Sequence, residues 1–240
     1  MSKENQDKVI VALDTPSLDF ARKLVKTLGP LVRFYKIGFE LFTAHGWKAV
    51  ELVKKQGARV FLDLKLHDIP NTVSKTAAVI TEYEVDMFNV HALGGLEMMK
   101  TTRKIVEQRV RDGQKKPLIL GVTVLTSHTP QNLKDDLGIQ RGLEDQVLHL
   151  AKLVKQAGLN GVVSSPREVT LLRKEFKSDF LIVTPGIRAA GEAAGDQKRT
   201  FSAREAFNAG SDYIVVGRPI TAAADPAKAA KDLLGSVVDI

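Results

Sequence analysis

Eight short apolar runs, each followed by a longer segment of helical period, predict an α/β protein that folds as a single (β/α)8 TIM barrel. The runs are apolar on both faces, which is typical of buried strands in a parallel sheet. Eight strands are enough to close a barrel, and a barrel domain typically has about 250 residues. We therefore expect one catalytic domain over residues 1–240. Periodicity does not reveal closure, so an open doubly wound sheet stays as the alternative.

The strands and helices alternate along the chain. The predicted strands are Lys8–Asp14, Phe34–Phe39, Arg59–Lys65, Met87–Ala92, Leu118–Leu125, Gly161–Ser165, Phe180–Pro185 and Asp212–Gly217. Apolar residues at helical spacing predict a helix after the first strand and another before the sixth: Leu18, Ala21, Leu24, Val25 and Leu28, then Val147, Leu150, Ala151 and Val154. Ser165-Pro166-Arg167-Glu168 predicts a helix start, since it combines a capping box with proline at the first helical position. Gly29-Pro30, Gly57 and Gly158 predict helix ends.

The composition excludes several classes of protein. Hydrophobic residues make up 44% of the chain and charged residues 26%, which indicates a globular rather than a disordered protein. There is no cysteine, so disulfides, zinc–thiolate sites and thiol nucleophiles are excluded. The polar first residues contain no apolar signal-peptide segment, and no run of about 18 apolar residues could span a membrane. We therefore expect a cytoplasmic protein with no membrane contact.

The net charge of +7 suggests nucleic-acid binding, but the distribution of charge does not support it. Lysine and arginine are spread along the whole chain among acidic residues, and one Trp and three Tyr offer few rings for base stacking. A solvated basic surface is the better interpretation. We expect no nucleic-acid partner, although such a surface would also attract a small anionic substrate.

Charged and polar residues follow the predicted strands, where the functional residues of such barrels collect. They are Asp14, Lys36, Asp63-Leu64-Lys65 with Asp68, His91, Thr126-Ser127, Pro185-Gly186-Ile187-Arg188 and Gly217-Arg218. Five of the eight strand ends therefore carry charge. We interpret His91 as a hydrogen-bonded structural histidine. The histidines show no metal-binding spacing, so we expect no metal.

The third strand carries the most informative pattern. Side chains alternate along a strand, so Asp63 and Lys65 should share one face at the barrel mouth. Asp68 follows, and we expect Lys65 to lie between the two carboxylates, which favour its protonated form. Such a lysine is a proton donor rather than a Schiff-base nucleophile. A buried ion pair that only closes the barrel is the alternative, but the additional charges of Asp14 and Lys36 favour a functional site.

The last two strands predict a phosphate site. Gly186 and Gly217 let backbone N–H groups approach an anion, and Arg188 and Arg218 can bind it in bidentate fashion. The intervening Ala189–Arg199 stretch lacks helical or strand period and is interpreted either as a closing lid or as a surface loop. The lysine and hydroxyl residue of a nucleoside-triphosphate loop are missing after Gly191.

One segment resembles the signature of the orotidine 5′-monophosphate decarboxylase family: Asp63-Leu64-Lys65-Leu66-His67-Asp68-Ile69-Pro70-Asn71-Thr72. The similarity continues in Val11-Ala12-Leu13-Asp14, Tyr35-Lys36-Ile37-Gly38, Leu125-Thr126-Ser127, Thr184-Pro185-Gly186-Ile187-Arg188 and Val215-Val216-Gly217-Arg218-Pro219. It therefore covers nearly the whole chain.

The resemblance implies decarboxylation of orotidine 5′-monophosphate to uridine 5′-monophosphate in de novo pyrimidine biosynthesis, without metal or organic cofactor. It makes Lys65 the proton donor to pyrimidine C6, places Asp63 near the departing carboxylate, and adds Lys36 and Asp68 to the catalytic array. The implied substrate contacts are Asp14, Lys36 and Thr72 to the ribose; Thr126 and Ser127 to the base; Arg188, Gln197, Gly217 and Arg218 to the phosphate; with Ile69 and Pro185 also in the site. It further implies a homodimer in which Asp68 and Thr72 reach into the partner's site.

Two rival interpretations remain at this point. Metal-dependent phosphosugar enzymes share the Asp63-x-Lys65-x-x-Asp68 pattern but carry a glutamate metal ligand where this chain has Lys36, whose ammonium would repel Mg²⁺. A basic nucleic-acid-binding protein would leave the charges at the strand ends unexplained.

Overall fold

The computed structural model describes residues 7–188 and 201–237. Its eight parallel strands follow chain order in a closed barrel. They are β1 Val9–Ala12, β2 Phe34–Gly38, β3 Arg59–Leu66, β4 Met87–His91, β5 Leu118–Val122, β6 Gly161–Val163, β7 Leu181–Thr184 and β8 Tyr213–Val216. All eight predicted strands are confirmed, and the open-sheet alternative is wrong. Several are shorter than predicted, because the predicted bounds included flanking residues such as Asp14, Phe39 and Leu125 that lie outside the observed strands.

The helices fall between the strands as predicted. They are α1 Leu18–Leu28, α2 Phe39–His45, α3 Trp47–Lys55, α4 Pro70–Glu82, α5 Gly95–Arg109, α6 Pro130–Asp135, α7 Leu143–Gln156, α8 Val169–Glu175, α9 Ala203–Ala209, α10 Arg218–Thr221 and α11 Pro226–Gly235. Short 3₁₀ turns at Ala92–Gly94 and Pro166–Glu168 precede α5 and α8. The apolar positions predicted to face the core are buried in α7 and, apart from half-buried Leu18, in α1. The predicted start at Ser165 is confirmed, since its hydroxyl accepts a hydrogen bond from the N–H of Arg167 at 3.2 Å.

Contacts within the chain group into two compact units. The first contains the residues up to Leu64 and those from Thr184 onward. In it β1 pairs with both β2 and β8, and β2 pairs with β3. Its core is built from the buried strands, and the guanidinium of Arg59 stacks 4.1 Å from the centre of the Phe34 ring. That residues 1–240 form one catalytic domain stays a prediction.

The second unit, Lys65–Val183, holds β4 to β7 paired in sequence. Two glycines allow close packing there. A Cβ on Gly121 of β5 would lie 2.2 Å from a methyl group of Val154, so α7 packs directly on the strand. A Cβ on Gly161 of β6 would lie 2.1 Å from the carbonyl oxygen of Leu181 in β7. Both contacts require glycine.

Across residues 7–188 and 201–237, every helix is too short or too polar to cross a bilayer.

Candidate active site

Asp14, Lys36 and Asp63 form an ion-paired group in the first unit, called the Lys36 cluster below. The Nζ atom of Lys36 lies 2.9 Å from Oδ1 of Asp14 and 3.3 Å from Oδ2 of Asp63. The pairing of β1, β2 and β3 brings them together, since Lys36 is opposite Ala12 and Asp63 is opposite Gly38. The structure thus assembles three of the residues that the sequence placed at neighbouring strand ends.

The Lys36 cluster is largely shielded from water. The side chains of Lys36 and Asp63 are each 12% exposed, whereas that of Asp14 is 57% exposed. Burial acts to lower the pKa of Lys36, but the carboxylates of Asp63 and Asp14 outweigh it, so this pKa is raised above its ordinary value. Lys36 is therefore a fixed cation at neutral pH.

A glycine makes room for this cation. A Cβ on Gly38 would lie 2.9 Å from Nζ of Lys36 and 3.5 Å from Oδ1 of Asp14. In the sequence, Gly38 stands out only as the last residue of the Tyr35-Lys36-Ile37-Gly38 motif. Its steric role depends on where the lysine head lies, which no local pattern reveals.

The end of β3 places Lys65 in an unusual backbone conformation. Lys65 is half-buried and has a φ of 43°, in the left-handed region that residues with a Cβ rarely adopt. Its N–H donates a hydrogen bond to Oδ1 of Asn89 at 2.8 Å. That the side chains of Asp63 and Lys65 share one face stays a prediction. That Lys65 lies between Asp63 and Asp68 stays a prediction.

Asn89 is a residue that the sequence analysis missed. It lies in the middle of β4 and is fully buried, with Phe88 and Val90 beside it. An amide in an otherwise apolar strand is costly to bury unless it is hydrogen-bonded. A polar residue within an apolar strand is therefore the sequence feature by which Asn89 could have been predicted to matter.

Asp68, Ile69 and Thr72 lie at the start of α4. Asp68 is exposed, and its Oδ1 accepts a hydrogen bond from the N–H of Ile69 at 2.6 Å. Thr72 is exposed in the first turn of the helix, and Ile69 is 65% exposed. All three side chains are therefore accessible on the surface of this chain.

His91 has the hydrogen-bonded role that the sequence analysis favoured. Its Nδ1 accepts a hydrogen bond from the N–H of Leu93 at 3.3 Å, and its ring stacks on His67 with 5.2 Å between ring centres. Burial, and then the neighbouring charges of His67, Lys65 and His128, lower the pKa of His91 to about 4. His91 is therefore neutral at pH 7.

Thr126 and Ser127 are exposed in the turn after β5. A pocket close to this turn has a volume of about 20 Å³, and its walls include Thr123, Leu125 and His128. That volume suits one water molecule, not a nucleotide base. A nucleotide base could therefore reach Thr126 and Ser127 on the exposed turn but would not fit in this pocket.

Three of the predicted phosphate residues, Arg188, Gly217 and Arg218, lie in the first unit. Gly186 has a φ of 79°, which explains the glycine after β7. Arg188 is half-buried, and its N–H donates to the carbonyl of Phe201 at 3.1 Å. Gly217 precedes exposed Arg218, and a Cβ there would be 3.8 Å from Oδ2 of Asp14. Pro185 is half-buried next to Gly186. Gln197, like the rest of the Ala189–Arg199 stretch, lies outside the described residues.

Glu168, predicted only as part of a helix start, is a buried acid. Glu168 is 7% exposed and accepts a hydrogen bond from Ser164 at 3.4 Å. Burial raises the pKa of Glu168, against the opposing effect of hydrogen bonds from Ser165 and Ser164.

In the parts of the chain described, no three His, Asp or Glu side chains are grouped so as to hold a metal ion.

Fold and site together define a class. A closed eight-stranded parallel barrel with charged side chains near the carboxyl ends of its strands is typical of (β/α)8-barrel enzymes.

The chain belongs to the Orotidine 5′-phosphate decarboxylase / HUMPS family, whose sequence model matches residues 7–233. Two curated relatives are named orotidine 5′-phosphate decarboxylase. The one from Geobacter metallireducens is 49% identical, with 97% of each chain covered. The one from Moorella thermoacetica is 47% identical and covers 97% of this chain and 92% of its own.

A solved structure agrees with both findings. The crystal structure of orotidine 5′-phosphate decarboxylase from Lactobacillus acidophilus superimposes with a TM-score of 0.86 at 38% identity. It covers 97% of this chain and 99% of its own. The predicted family is confirmed.

Proposed function

We propose that this chain decarboxylates orotidine 5′-monophosphate to uridine 5′-monophosphate in pyrimidine biosynthesis, with Lys65 as the proton donor. The assignment of this reaction rests on the near full-length similarity to curated relatives named orotidine 5′-phosphate decarboxylase, at 44% to 49% identity. The role of Lys65 is supported by its place in the Asp63-x-Lys65-x-x-Asp68 motif. The alternative function, that of a metal-dependent phosphosugar enzyme, is disfavoured. The ammonium of Lys36 lies between the carboxylates of Asp14 and Asp63, where it would repel Mg²⁺.

The reaction breaks the bond between C6 and the carboxylate. The electron pair stays on C6, carbon dioxide leaves, and an Nζ–H proton of Lys65 is transferred to C6. A positioned ammonium stabilises the negative charge as it develops, which is the largest contribution in many enzymes. The barrier to be removed is on the order of 20 kcal/mol. Lys65 then regains a proton from solvent.

The Lys36 cluster supplies fixed charge for this step. In the proposal, Asp63 faces the departing carboxylate, while Lys36 and Asp14 contact the ribose hydroxyls. The ion pairs at 2.9 Å and 3.3 Å support preorganisation, since a cation already paired needs little rearrangement when substrate binds. The shared ammonium also supports turnover without a metal.

The remaining contacts are assigned by the family resemblance. Thr126 and Ser127 bind the base, Ile69 and Pro185 line the site, and Arg188, Gln197, Gly217 and Arg218 hold the phosphate. The glycine conformation at Gly186 and the proximity of Gly217 to Asp14 support the phosphate assignment. Binding energy from the phosphate can favour a closed, water-excluding site.

We also propose a homodimer in which Asp68 and Thr72 enter the partner's site. Both residues are exposed here, and Ile69 between them leaves an apolar side chain 65% accessible. Contact with a partner would remove that side chain from water. A cytoplasmic location is proposed as well, supported by the pathway and by a chain without cysteine.

The test is an ultraviolet assay of the purified chain with orotidine 5′-monophosphate. Wild type and Lys48→Ala, a change at an exposed lysine on α3, should turn over equally. Lys65→Ala should fold yet lose about 10²- to 10⁴-fold in kcat, the range for a general acid. If Lys65→Ala kept more than a few per cent of the wild-type rate, Lys65 would not be the proton donor.

The same assay after exhaustive chelation tests whether the reaction needs a metal, as a phosphosugar enzyme of the rival class would. Turnover should be unchanged. Activity that vanished and returned on addition of Mg²⁺ would favour the metal-dependent phosphosugar enzyme instead.

A further inference from the structure

The backbone of Lys65 is held in a conformation that its sequence alone does not favour. Among the described residues, Lys65 and Glu84 are the two non-glycine residues with positive φ. Glu84 lies in a turn just after α4, where its N–H bonds to the carbonyl of Thr81 at 3.1 Å. Lys65 instead lies within β3, where extended backbone is the rule. Such an outlier persists only where its surroundings fix it.

Asn89 provides a contact that fixes it. Its Oδ1 accepts the N–H of Lys65 at 2.8 Å, a short and therefore well-formed hydrogen bond. The side chain is fully buried in β4, between buried apolar residues. Moving the peptide of Lys65 out of reach would leave this buried oxygen without that donor, which is unfavourable. The two residues are 24 positions apart in sequence, so the restraint is tertiary.

We infer that Asn89 is a positioning residue for Lys65. The φ of a residue sets the direction of its Cα–Cβ bond, and thus the region that its side chain can reach. By fixing the peptide, Asn89 determines where the Lys65 ammonium is presented. This inference rests on the proposed function, because it assigns Asn89 to the proton-donating step. Asn89 itself acts through Lys65 and is not required to touch substrate.

The chain offers a matched control in Asn160. Its Oδ1 accepts the backbone N–H of Ile119 in β5 at 2.9 Å, the same kind of bond at nearly the same length. Ile119 is an apolar core residue with no role in the proposed reaction. Asn160→Ala therefore reports the loss of such a bond without disturbing the proton donor.

The experiment compares kcat and KM of wild type, Asn89→Ala, Asn89→Asp and Asn160→Ala, each corrected for its folded fraction. Asn89→Ala should lower kcat by about 10- to 100-fold with KM nearly unchanged, as expected for a misplaced catalytic group. Asn89→Asp should recover most of that loss, since a carboxyl group keeps an acceptor oxygen in either protonation state. Asn160→Ala should keep the wild-type kcat.

If Asn89→Ala does not fold, Asn89→Leu takes its place, because it fills a similar volume without an acceptor. The inference is overturned if the Asn89 variant keeps the wild-type kcat, if only KM rises, or if Asn160→Ala loses kcat to the same degree. Wild-type turnover is measured first. A wild-type chain without decarboxylase activity would instead refute the proposed function, so the two failures are distinguishable.

Discussion

At the scale of single residues, Gly38 shows how a missing side chain shapes the Lys36 cluster. In Gly38→Ala the new methyl would lie 2.9 Å from Nζ of Lys36, so the ammonium must move. The atom displaced is the tip of a flexible side chain, and we expect little loss of stability. We expect kcat/KM to fall about tenfold or more, since misplaced charge weakens transition-state stabilisation. Steady-state kinetics and thermal unfolding would measure the two effects.

The control for this prediction is Gly235→Ala at the end of α11. A Cβ there meets nothing within 4 Å, so both activity and stability should stay near wild type. Loss of stability without loss of activity in Gly38→Ala would show that the glycine serves the fold and not the lysine.

His91 predicts a dependence of stability on pH. Its pKa is about 4 in the folded chain, against an ordinary value of 6.5. Between these values the unfolded chain binds a proton that the folded chain does not, so stability falls as pH drops from 6.5 towards 4. The largest possible contribution is about 3 kcal/mol. His91→Asn keeps an acceptor for the N–H of Leu93 but cannot titrate, so its free energy of unfolding should fall less over this range.

Urea unfolding of wild type and His91→Asn at several pH values between 4 and 7 measures this difference. Parallel pH profiles for the two proteins would show that the buried imidazole does not titrate as described.

At the scale of elements, β6 depends on the absence of a side chain at its first residue. The strand has three residues, and a Cβ on Gly161 would lie 2.1 Å from the carbonyl oxygen of Leu181. Backbone cannot rotate away as a side chain can, so Gly161→Ala must separate β6 from β7. We expect a loss of about 3 kcal/mol or more in unfolding free energy, comparable to overpacking a core. Chemical denaturation would measure it, with Gly235→Ala as the reference, and a loss below about 1 kcal/mol would contradict the close approach.

At the scale of the whole molecule, the proposed shared site predicts complementation between inactive variants. If Asp68 acts in the partner's site, a mixed dimer of Lys65→Ala and Asp68→Ala has one doubly altered site and one intact site. Random mixing of equal amounts makes about half of the dimers mixed, so about a quarter of all sites become wild type. The two variants are unfolded and refolded together, and activity is compared with that of each refolded alone.

Recovery towards a quarter of wild-type activity would support the shared site. Mixed dimers verified by mass but without recovered activity would place Asp68 in the site of its own chain.

The sequence by itself determined the order of elements and the residues available for chemistry. Apolar runs and helical spacing depend on neighbours within a few positions, so all eight strands could be located from them. Charges next to such runs stand out because isolated charges are costly to bury, which identified Asp14, Lys36, Asp63 and Lys65. The family followed from the motif around Lys65 and was confirmed over residues 7–233.

Only the tertiary structure decided how these residues meet. Strand register sets the 2.9 Å and 3.3 Å ion pairs of Lys36 and makes Gly38 necessary. The left-handed backbone of Lys65 was not predicted from the sequence, and the hydrogen bond from its N–H to Asn89 joins residues 24 positions apart. Such contacts depend on the pairing of distant segments, and no local pattern encodes them because their energy arises only once the strands are assembled.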